Sequence, residues 1–284
     1  MFRYLMGVVL AGLLALPVHT AIADQPSVST LYEPFQGLLE EFLVEEDLPD
    51  GGLVSAFRYR DAVADGNAMD AVTEQRNRLR QFDPDSLESR EEAIAFWLNA
   101  YNFFMLAHIL ENPKDGGSEW IESVRDYGSL FRPYRVFSRD LFDIGGSKYN
   151  LSKIEKDILL GDEFKERGWK EARVHFAVNC ASVGCPPLRK VIFDADNVDR
   201  MMTENTERAM RTERHLRVEG DTLHLSQLFE WYEDDYLEEA ETLRDWIADY
   251  IDEELRDAIN AVSRIRFIDY DWSLNTPENF RELD

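Results

Sequence analysis

The chain has few of the residues that build metal centres. Its 284 residues include only two cysteines, Cys180 and Cys185, and five histidines. No CxxC pair and no HxxxH pair occurs, so the ligand spacing that is typical of zinc sites is missing. The sequence also has no glycine-rich loop of the kind that holds phosphate groups. We therefore expect neither a metal nor a cofactor.

Basic residues are also scarce. Lysine and arginine together number 31 against 56 aspartates and glutamates, which gives a formal net charge of −25 at pH 7. A surface of this sign repels the phosphates of nucleic acids and the headgroups of anionic lipids. We therefore expect no nucleic acid among the partners of this protein.

The N-terminus carries an apolar run preceded by a basic residue. In MFRYLMGVVLAGLLALPVHTAIADQPS, a basic start at Arg3 is followed by an apolar segment of about 14 residues. That segment is short for a bilayer span of ~20 residues, and Ala21 and Ala23 supply the small residues of a cleavage site. We interpret residues 1–23 as a signal peptide, whose removal leaves no stable membrane span and changes the net charge from −25 to −26. The expected location is periplasmic or secreted, where the environment is oxidising.

Apolar periodicity predicts a helix-rich fold. SREEAIAFWLNAYNFFMLAHIL is apolar on nearly every side after the cap residue Ser89, so we expect a central, buried helix. ARVHFAVN alternates in a way that predicts a strand over 172–179, and HLRVEGDTLHLS predicts a hairpin that turns at Gly220-Asp221. Ser152 and Glu155 fit a capping box at the start of another helix. Because no βαβ rhythm appears, we predict an α+β fold: a single helix-rich domain with a central buried helix and short, mostly antiparallel strands.

The two cysteines lie in one short segment, RVHFAVNCASVGCPPL, over residues 173–188. Their close spacing in an exported protein favours a disulfide between Cys180 and Cys185, which would contribute roughly 2 kcal/mol. The alternatives are a nucleophilic Cys180 with His175 as its base, or two free thiols. On the predicted strand His175 and Asn179 share one face and Cys180 lies on the other, so a His–Cys dyad requires Cys180 to lie in the turn.

Two asparagines are unexpected on the apolar helix. Asn99 and Asn102 are three residues apart and therefore lie on one helical face. A buried amide without partners costs on the order of 1–3 kcal/mol, so each must bind backbone, another polar side chain or a ligand. The two amides are thus interpreted either as clamps that hold loops to the helix or as the lining of a pocket.

Five motifs together resemble a known family. FWLNAYN, NLSKIEKDILL, RVHFAVNCASVGCPPL, FEWYEDDY and YDWSLN resemble, in their order and spacing, the domain of unknown function 547 family. The resemblance implies a bacterial exported member of a family that has no established reaction. It covers roughly residues 53–275, so we predict four segments: the signal peptide over 1–23, an N-terminal helical lead-in over 24–52, the family domain over 53–275 and a C-terminal tail over 276–284. The family pattern falls on Trp97, Asn99, Tyr101, Asn102, Glu155, Arg173, His175, Asn179, Cys180, Cys185 and Pro186.

Three functions fit these residues, and the sequence leaves open whether the protein is an enzyme. The first is a module that binds a small molecule or peptide in a polar pocket beside the cysteine loop. The second is a cysteine-dependent hydrolase or transferase that uses Cys180 and His175. The third is a scaffold whose buried polar network is structural. We predict the binding module, because packing alone does not require a histidine and two opposite charges; the expected binding residues are Asn99, Asn102, Glu155, Arg173 and Asn179.

Overall fold

The structure is a computed structural model that describes residues 25–114 and 119–283. The predicted signal peptide over residues 1–23 lies outside the described residues. The α-helices are α1 Val28–Leu31, α2 Glu33–Phe42, α3 Tyr59–Ala64, α4 Gly66–Gln81, α5 Arg90–Glu111, α6 Arg135–Ser138, α7 Asp162–Glu166, α8 Val198–Met210, α9 Gln227–Trp231, α10 Glu233–Leu237, α11 Leu243–Ala248 and α12 Glu253–Ala261. The strands are β1 Leu43–Asp47, β2 Leu53–Phe57, β3 Phe142–Ile144, β4 Ser147–Tyr149, β5 Leu216–Glu219, β6 Thr222–Ser226 and β7 Arg264–Ile268. A π-helix spans Lys153–Leu159, and 3-10 helices span Pro84–Ser86, Val124–Tyr127, Ala172–Phe176, Pro277–Asn279 and Arg281–Leu283.

Helix α5 lies at the centre of the fold, as its apolar sequence predicts. The Ser89 hydroxyl accepts a hydrogen bond from the Glu92 amide and so caps the N-terminus of the helix. Every residue from Ala93 to Leu110 is buried, including Trp97, which packs against Tyr149. Within the described residues α5 is the one helix long and apolar enough to cross a membrane, and its apolar stretch lies wholly inside the fold.

Three small sheets surround this helical core. β1 pairs with β2 and β3 pairs with β4, both antiparallel. β5 and β6 form the predicted hairpin with its turn at Gly220-Asp221, where Gly220 has a positive φ of 58° that favours glycine. β7 then joins β6 in parallel. The α+β prediction, with its buried central helix and mostly antiparallel strands, is confirmed.

The strand predicted over residues 172–179 is wrong. Ala172–Phe176 form a 3-10 helix, and the Ala177 amide donates to the Val174 carbonyl 3.0 Å away. The alternation that suggested a strand arises because the segment is buried between α8 and the rest of the core rather than at a sheet surface. No strand among the described residues pairs with it. The strand geometry that separated His175 from Cys180 therefore does not apply.

The predicted capping box at Ser152 and Glu155 is also wrong. Ser152 has helical backbone angles, and its side chain makes no capping hydrogen bond. The Asn150 carbonyl oxygen Oδ1 performs this role instead, because it accepts from the Lys153 amide at 2.8 Å. The segment continues as the π-helix, a geometry that is frequent at functional sites. The Glu155 carboxylate is thus not engaged in capping.

Two apolar clusters form most of the core. The first surrounds α5, and Cys180 and Trp272 pack against it. The second surrounds the β5–β6–β7 sheet and α9 to α12, and Tyr232 and Tyr270 pack against it. Side chains from both clusters line one cavity, so the candidate site lies where the two clusters meet.

The described segments on either side of the predicted family domain also pack against it. β1, in the predicted lead-in, pairs with β2 in the predicted family domain. In the predicted tail, Phe280 is buried against Val54 and Ala56 of β2. The predicted segment boundaries stay predictions, but the structure packs these segments into one body.

Candidate functional site

A cavity of about 560 Å³ opens between the two apolar clusters. Its polar lining brings together four of the residues that the sequence singled out, Glu155, His175, Cys180 and Cys185. They come from the π-helix, the 3-10 helix and the loop that follows it. The size suits a small organic ligand, since ligand pockets commonly measure ~300–1,000 Å³.

Aromatic rings form a large part of the cavity wall. Trp231 follows the β5–β6 hairpin at the end of α9, and Tyr270 and Trp272 come from the segment after β7. The ring centroids of Trp231 and Trp272 lie 5.9 Å apart, nearly parallel, and those of Tyr270 and Trp272 lie 4.7 Å apart. These contacts hold the rings as a rigid surface on which a flat ligand can stack. The seven aromatic lining residues are Tyr101, Tyr134, Phe137, Trp231, Tyr232, Tyr270 and Trp272.

His175 is held between two carboxylates. Its Nε2 lies 2.9 Å from Asp235 Oδ2, and its Nδ1 lies 3.9 Å from Glu155 Oε1. The ring stacks on Tyr232 with centroids 3.9 Å apart and is only 1% exposed. Nδ1 is a buried nitrogen without a hydrogen-bond partner. Such a group is costly to leave unsatisfied, so its presence beside a cavity requires an explanation.

Asp235 orients the imidazole. Burial alone would raise the pKa of its carboxyl, but hydrogen bonds from His175 and Lys170 outweigh burial and lower this pKa to about 2. Lys170 Nζ lies 2.8 Å from Asp235 Oδ1 and fixes the carboxylate in turn. Because the ionised carboxylate accepts from Nε2–H, Nδ1 is the nitrogen left as an acceptor in the neutral ring.

The two thiols share a hydroxyl. Tyr270 Oη lies 3.1 Å from Cys180 Sγ and 3.1 Å from Cys185 Sγ. The Cys180 amide donates to Cys185 Sγ at 3.0 Å. Both thiols are unbonded in the structure, so the disulfide between these neighbours stays a prediction.

The environments of the two thiols differ. Burial would raise the pKa of Cys180, but hydrogen bonds from the side chains of Cys185, Tyr270 and Ser182 outweigh it and lower this pKa below the usual range. Burial raises the pKa of Cys185 well above its usual range, and the neighbouring Cys180 reinforces the effect. Cys180 is therefore the stronger nucleophile of the pair near neutral pH.

The backbone after Cys180 is strained and tightly held. Ala181 has a φ of 61°, a left-handed conformation that a residue with a Cβ rarely adopts. The Asn179 side chain accepts from the Ala181 amide at 2.9 Å, and the Ala181 carbonyl accepts from the Asn275 amide at 3.1 Å. Strain of this kind persists where surrounding contacts enforce it, and it is concentrated at functional sites.

The structure places the predicted amides beside backbone rather than in the cavity. Asn99 donates to the Phe193 carbonyl at 2.7 Å and accepts from the Phe193 amide at 3.0 Å. Asn102 donates to the Ala177 carbonyl at 3.0 Å and accepts from the Asn179 amide at 2.8 Å. Both amides thus clamp loops to α5, and neither is among the described residues that line the cavity.

Asn179 and Arg173 also lie outside the cavity lining. Asn179 Nδ2 donates to the Pro186 carbonyl at 2.8 Å, which ties the two ends of the cysteine loop together. Arg173 instead points toward α8, where its guanidinium donates to Thr203 Oγ1 at 2.6 Å and pairs with Glu171 and Asp199. Of the predicted binding residues, the structure therefore brings Glu155 to the cavity, together with His175 and Cys180.

Comparison with known proteins adds a family match. Residues 84–208 match the family model described as Protein of unknown function, DUF547. This match supports the resemblance to the domain of unknown function 547 family, which has no characterised activity. A search of curated proteins found no match, and neither did a search of solved structures.

The cavity extends beyond the matched region. Of the lining residues, Glu155, His175 and both cysteines lie within the matched region, whereas Tyr232, Tyr270 and Trp272 follow it in the chain. Asp235, which holds His175, also follows it. The motifs FEWYEDDY and YDWSLN contain these later residues, so the sequence carried a signal for them as motifs but none for their roles. Within the described ranges no group of three or more histidine, cysteine, aspartate or glutamate side chains is arranged to hold a metal ion.

Proposed function

We propose that this protein is an exported module that binds a small organic molecule or peptide side chain in the aromatic cavity. One observation carries the proposal: His175 Nδ1 is buried and unpartnered, although Asp235 holds the opposite nitrogen of the ring in a hydrogen bond. A donor group on a bound ligand would satisfy this nitrogen. The pocket then fits the usual pattern of apolar walls with a few oriented polar groups.

The lining indicates the chemistry of the ligand. The parallel rings of Trp231 and Trp272 suit a flat or apolar body, which gains burial and stacking. Glu155, which is 6% exposed, supplies a carboxylate near His175 Nδ1. Both groups accept hydrogen bonds, so the ligand should present a donor there, such as an amine, amide or hydroxyl. Lys156 also lines the cavity, but the formal net charge of −25 of the chain repels anions, so we expect neutral or cationic aromatic compounds to bind better than anionic ones.

The test is a binding screen with protein-specific controls. Neutral and cationic aromatic amines and short peptides are titrated while intrinsic tryptophan fluorescence is recorded, to which Trp231 and Trp272 of the cavity wall contribute. His175→Ala should weaken binding of a hit by about five- to 150-fold, since a hydrogen bond to a buried polar group is worth ~1–3 kcal/mol. His224→Ala is the matched control, because His224 lies on β6 outside the cavity lining. Equal affinity of the two variants would contradict the proposal.

A second candidate function is cysteine-dependent hydrolysis or group transfer. It is favoured by the lowered pKa of Cys180 and by the Asp235–His175 hydrogen bond in the same cavity. His175 Nδ1 would take the proton of the Cys180 thiol, the resulting thiolate would attack an acyl carbon and form a thioester, and His175 would pass the proton to the leaving group. The two described side chains share no hydrogen bond, so this function requires the ligand or a small movement to bring them together.

Mass spectrometry separates the two candidates. Incubation with activated esters should leave an acyl group on Cys180 in the wild type and none in Cys180→Ser. Cys185→Ser is the control that retains Cys180 and removes the neighbouring thiol. If reversible binding is measured but no acyl adduct forms, the protein is a binding module; an adduct that Cys180→Ser abolishes supports the transfer function.

A further inference from the structure

The two cysteines form an asymmetric pair. Both cysteines line the cavity, but Cys180 is partly exposed whereas Cys185 is buried, with 7% exposure. Tyr270 Oη contacts both sulfur atoms at 3.1 Å. A disulfide that served only to staple the loop would need neither an accessible sulfur in a cavity nor a hydroxyl shared by both sulfurs.

The loop that carries the pair is preorganised. The Val183 amide donates to the Ser273 carbonyl and the Gly184 amide to the Asp271 carbonyl, each at 2.9 Å. A Cβ at position 184 would lie 3.0 Å from the Tyr270 ring, so the glycine permits the ring to reach the sulfurs. These bonds hold the two sulfurs beside each other in the reduced protein, and little chain entropy is lost when a bond forms between them.

We propose that Cys180 and Cys185 carry out thiol–disulfide exchange with a partner that bears a disulfide. The Cys180 thiolate attacks one sulfur of the partner, which forms a mixed disulfide and releases the other sulfur as a thiolate. Cys185 then loses its proton and attacks the Cys180 sulfur, which closes the Cys180–Cys185 disulfide and releases the second partner thiol. Two protein thiols are oxidised and one partner disulfide is reduced to two thiols; the same steps in reverse oxidise a dithiol partner.

Electrostatics supports these assigned roles. Hydrogen bonds lower the pKa of Cys180 despite its burial, whereas burial raises the pKa of Cys185. An attacking thiol needs a substantial thiolate fraction and access to its partner, and a resolving thiol needs to be protected from other partners. Glu155 and Lys156 both line the cavity and offset each other in charge, but the formal net charge of −25 of the whole chain favours cationic partners over anionic ones. A cationic disulfide such as cystamine should therefore react faster than oxidised glutathione, and salt should reduce the difference.

The experiment uses cystamine with three forms of the full chain. Wild type should release two equivalents of thiol and lose two hydrogens in mass. Cys185→Ser should stop at a mixed disulfide on Cys180, and Cys180→Ser should react at least about tenfold more slowly than Cys185→Ser, because its remaining thiol is buried and mostly protonated. Equal rates for the two single variants, or a wild type that stops at the mixed disulfide, would overturn the proposal.

Tyr270→Phe tests the shared hydroxyl. Removal of the hydroxyl should raise the pKa of Cys180. The exchange rate should then fall by about threefold for each unit of pKa, because the loss of thiolate is partly offset by the greater nucleophilicity of the thiolate that remains. The pH–rate profile should shift to higher pH together with the pKa of Cys180. A variant that only lost stability would not show this shift. Ligand binding is measured separately in Cys180→Ser, which lacks the attacking thiol. Failure of the exchange proposal can therefore be distinguished from failure of the proposed binding function.

Discussion

Replacement of Asn102 by alanine tests whether the amides of α5 hold the fold or bind a ligand. Asn102 is 3% exposed, and its two amide atoms bind the Ala177 carbonyl and the Asn179 amide. Asn102→Ala leaves both backbone groups buried without these partners. Each of the two unsatisfied groups costs ~1–3 kcal/mol, so the free energy of unfolding should fall by about 2–6 kcal/mol. That is a large share of the ~5–15 kcal/mol that is typical of a folded domain.

The assay is urea unfolding followed by tryptophan fluorescence and circular dichroism. Coincident transitions would show that the midpoint reports a two-state free energy. Asn77→Ala is the matched control: Asn77 lies on α4 and accepts a hydrogen bond from Arg80 at the surface, so its loss should change stability by less than ~0.5 kcal/mol. Asn102→Asp keeps an acceptor for the Asn179 amide but removes the donor to Ala177, and it should also be destabilised.

The outcome decides between two roles. If Asn102→Ala unfolds within ~0.5 kcal/mol of wild type and loses affinity for a cavity ligand, Asn102 belongs to the binding site and the clamp interpretation is refuted. If stability falls as expected, the clamp also explains a second effect: the displaced loop should change the rate at which Cys180 reacts with iodoacetamide.

Three further predictions follow from burial and compartment. Trp97→Ala should lower the free energy of unfolding by ~3–5 kcal/mol in the same urea assay, because Trp97 is 6% exposed inside the core. Burial lowers the pKa of His215 from 6.5 to about 3, so the unfolded chain binds more protons than the folded one in this range. The free energy of unfolding should therefore decline as pH falls from 6.5 toward 3. This decline should be shallower in His215→Phe, and an unchanged slope would contradict the assignment to His215. Mass spectrometry of protein recovered from the periplasm without reductant should show the loss of two hydrogens, and free thiols there would count against the predicted Cys180–Cys185 disulfide.

Local patterns predicted the elements that depend on local physics. The apolar run of α5 and its Ser89 cap, and the Gly220-Asp221 turn between β5 and β6, depend on neighbouring residues in the chain. Their predictions are confirmed for that reason. The strand predicted over 172–179 failed because tertiary contacts, among them the Asn102 clamp on Ala177 and Asn179, set the backbone there.

The candidate site was predictable only in part, because its residues are distant in sequence. Asp235 lies 60 residues after His175, and Tyr270 lies 90 residues after Cys180. Nothing in the spacing of the chain indicates that these pairs touch. Residue chemistry did indicate Glu155, His175 and the cysteines, which share the cavity. Residue chemistry did not distinguish these cavity residues from Arg173, which lies outside the lining and pairs with Glu171 and Asp199.

The asparagines of α5 differ from His175 in whether all of their hydrogen-bonding atoms have partners. Asn99 and Asn102 each have a backbone donor and acceptor at close range, so a ligand has nothing to add to them. His175 has a firm partner at Nε2 and none at Nδ1, and that nitrogen lies toward Glu155 at the cavity. A core selected only for stability would favour an apolar ring here, because an unsatisfied buried nitrogen lowers stability. A histidine with an ion-paired orienting carboxylate, placed in the cavity lining, therefore supports the proposal that this nitrogen binds a ligand.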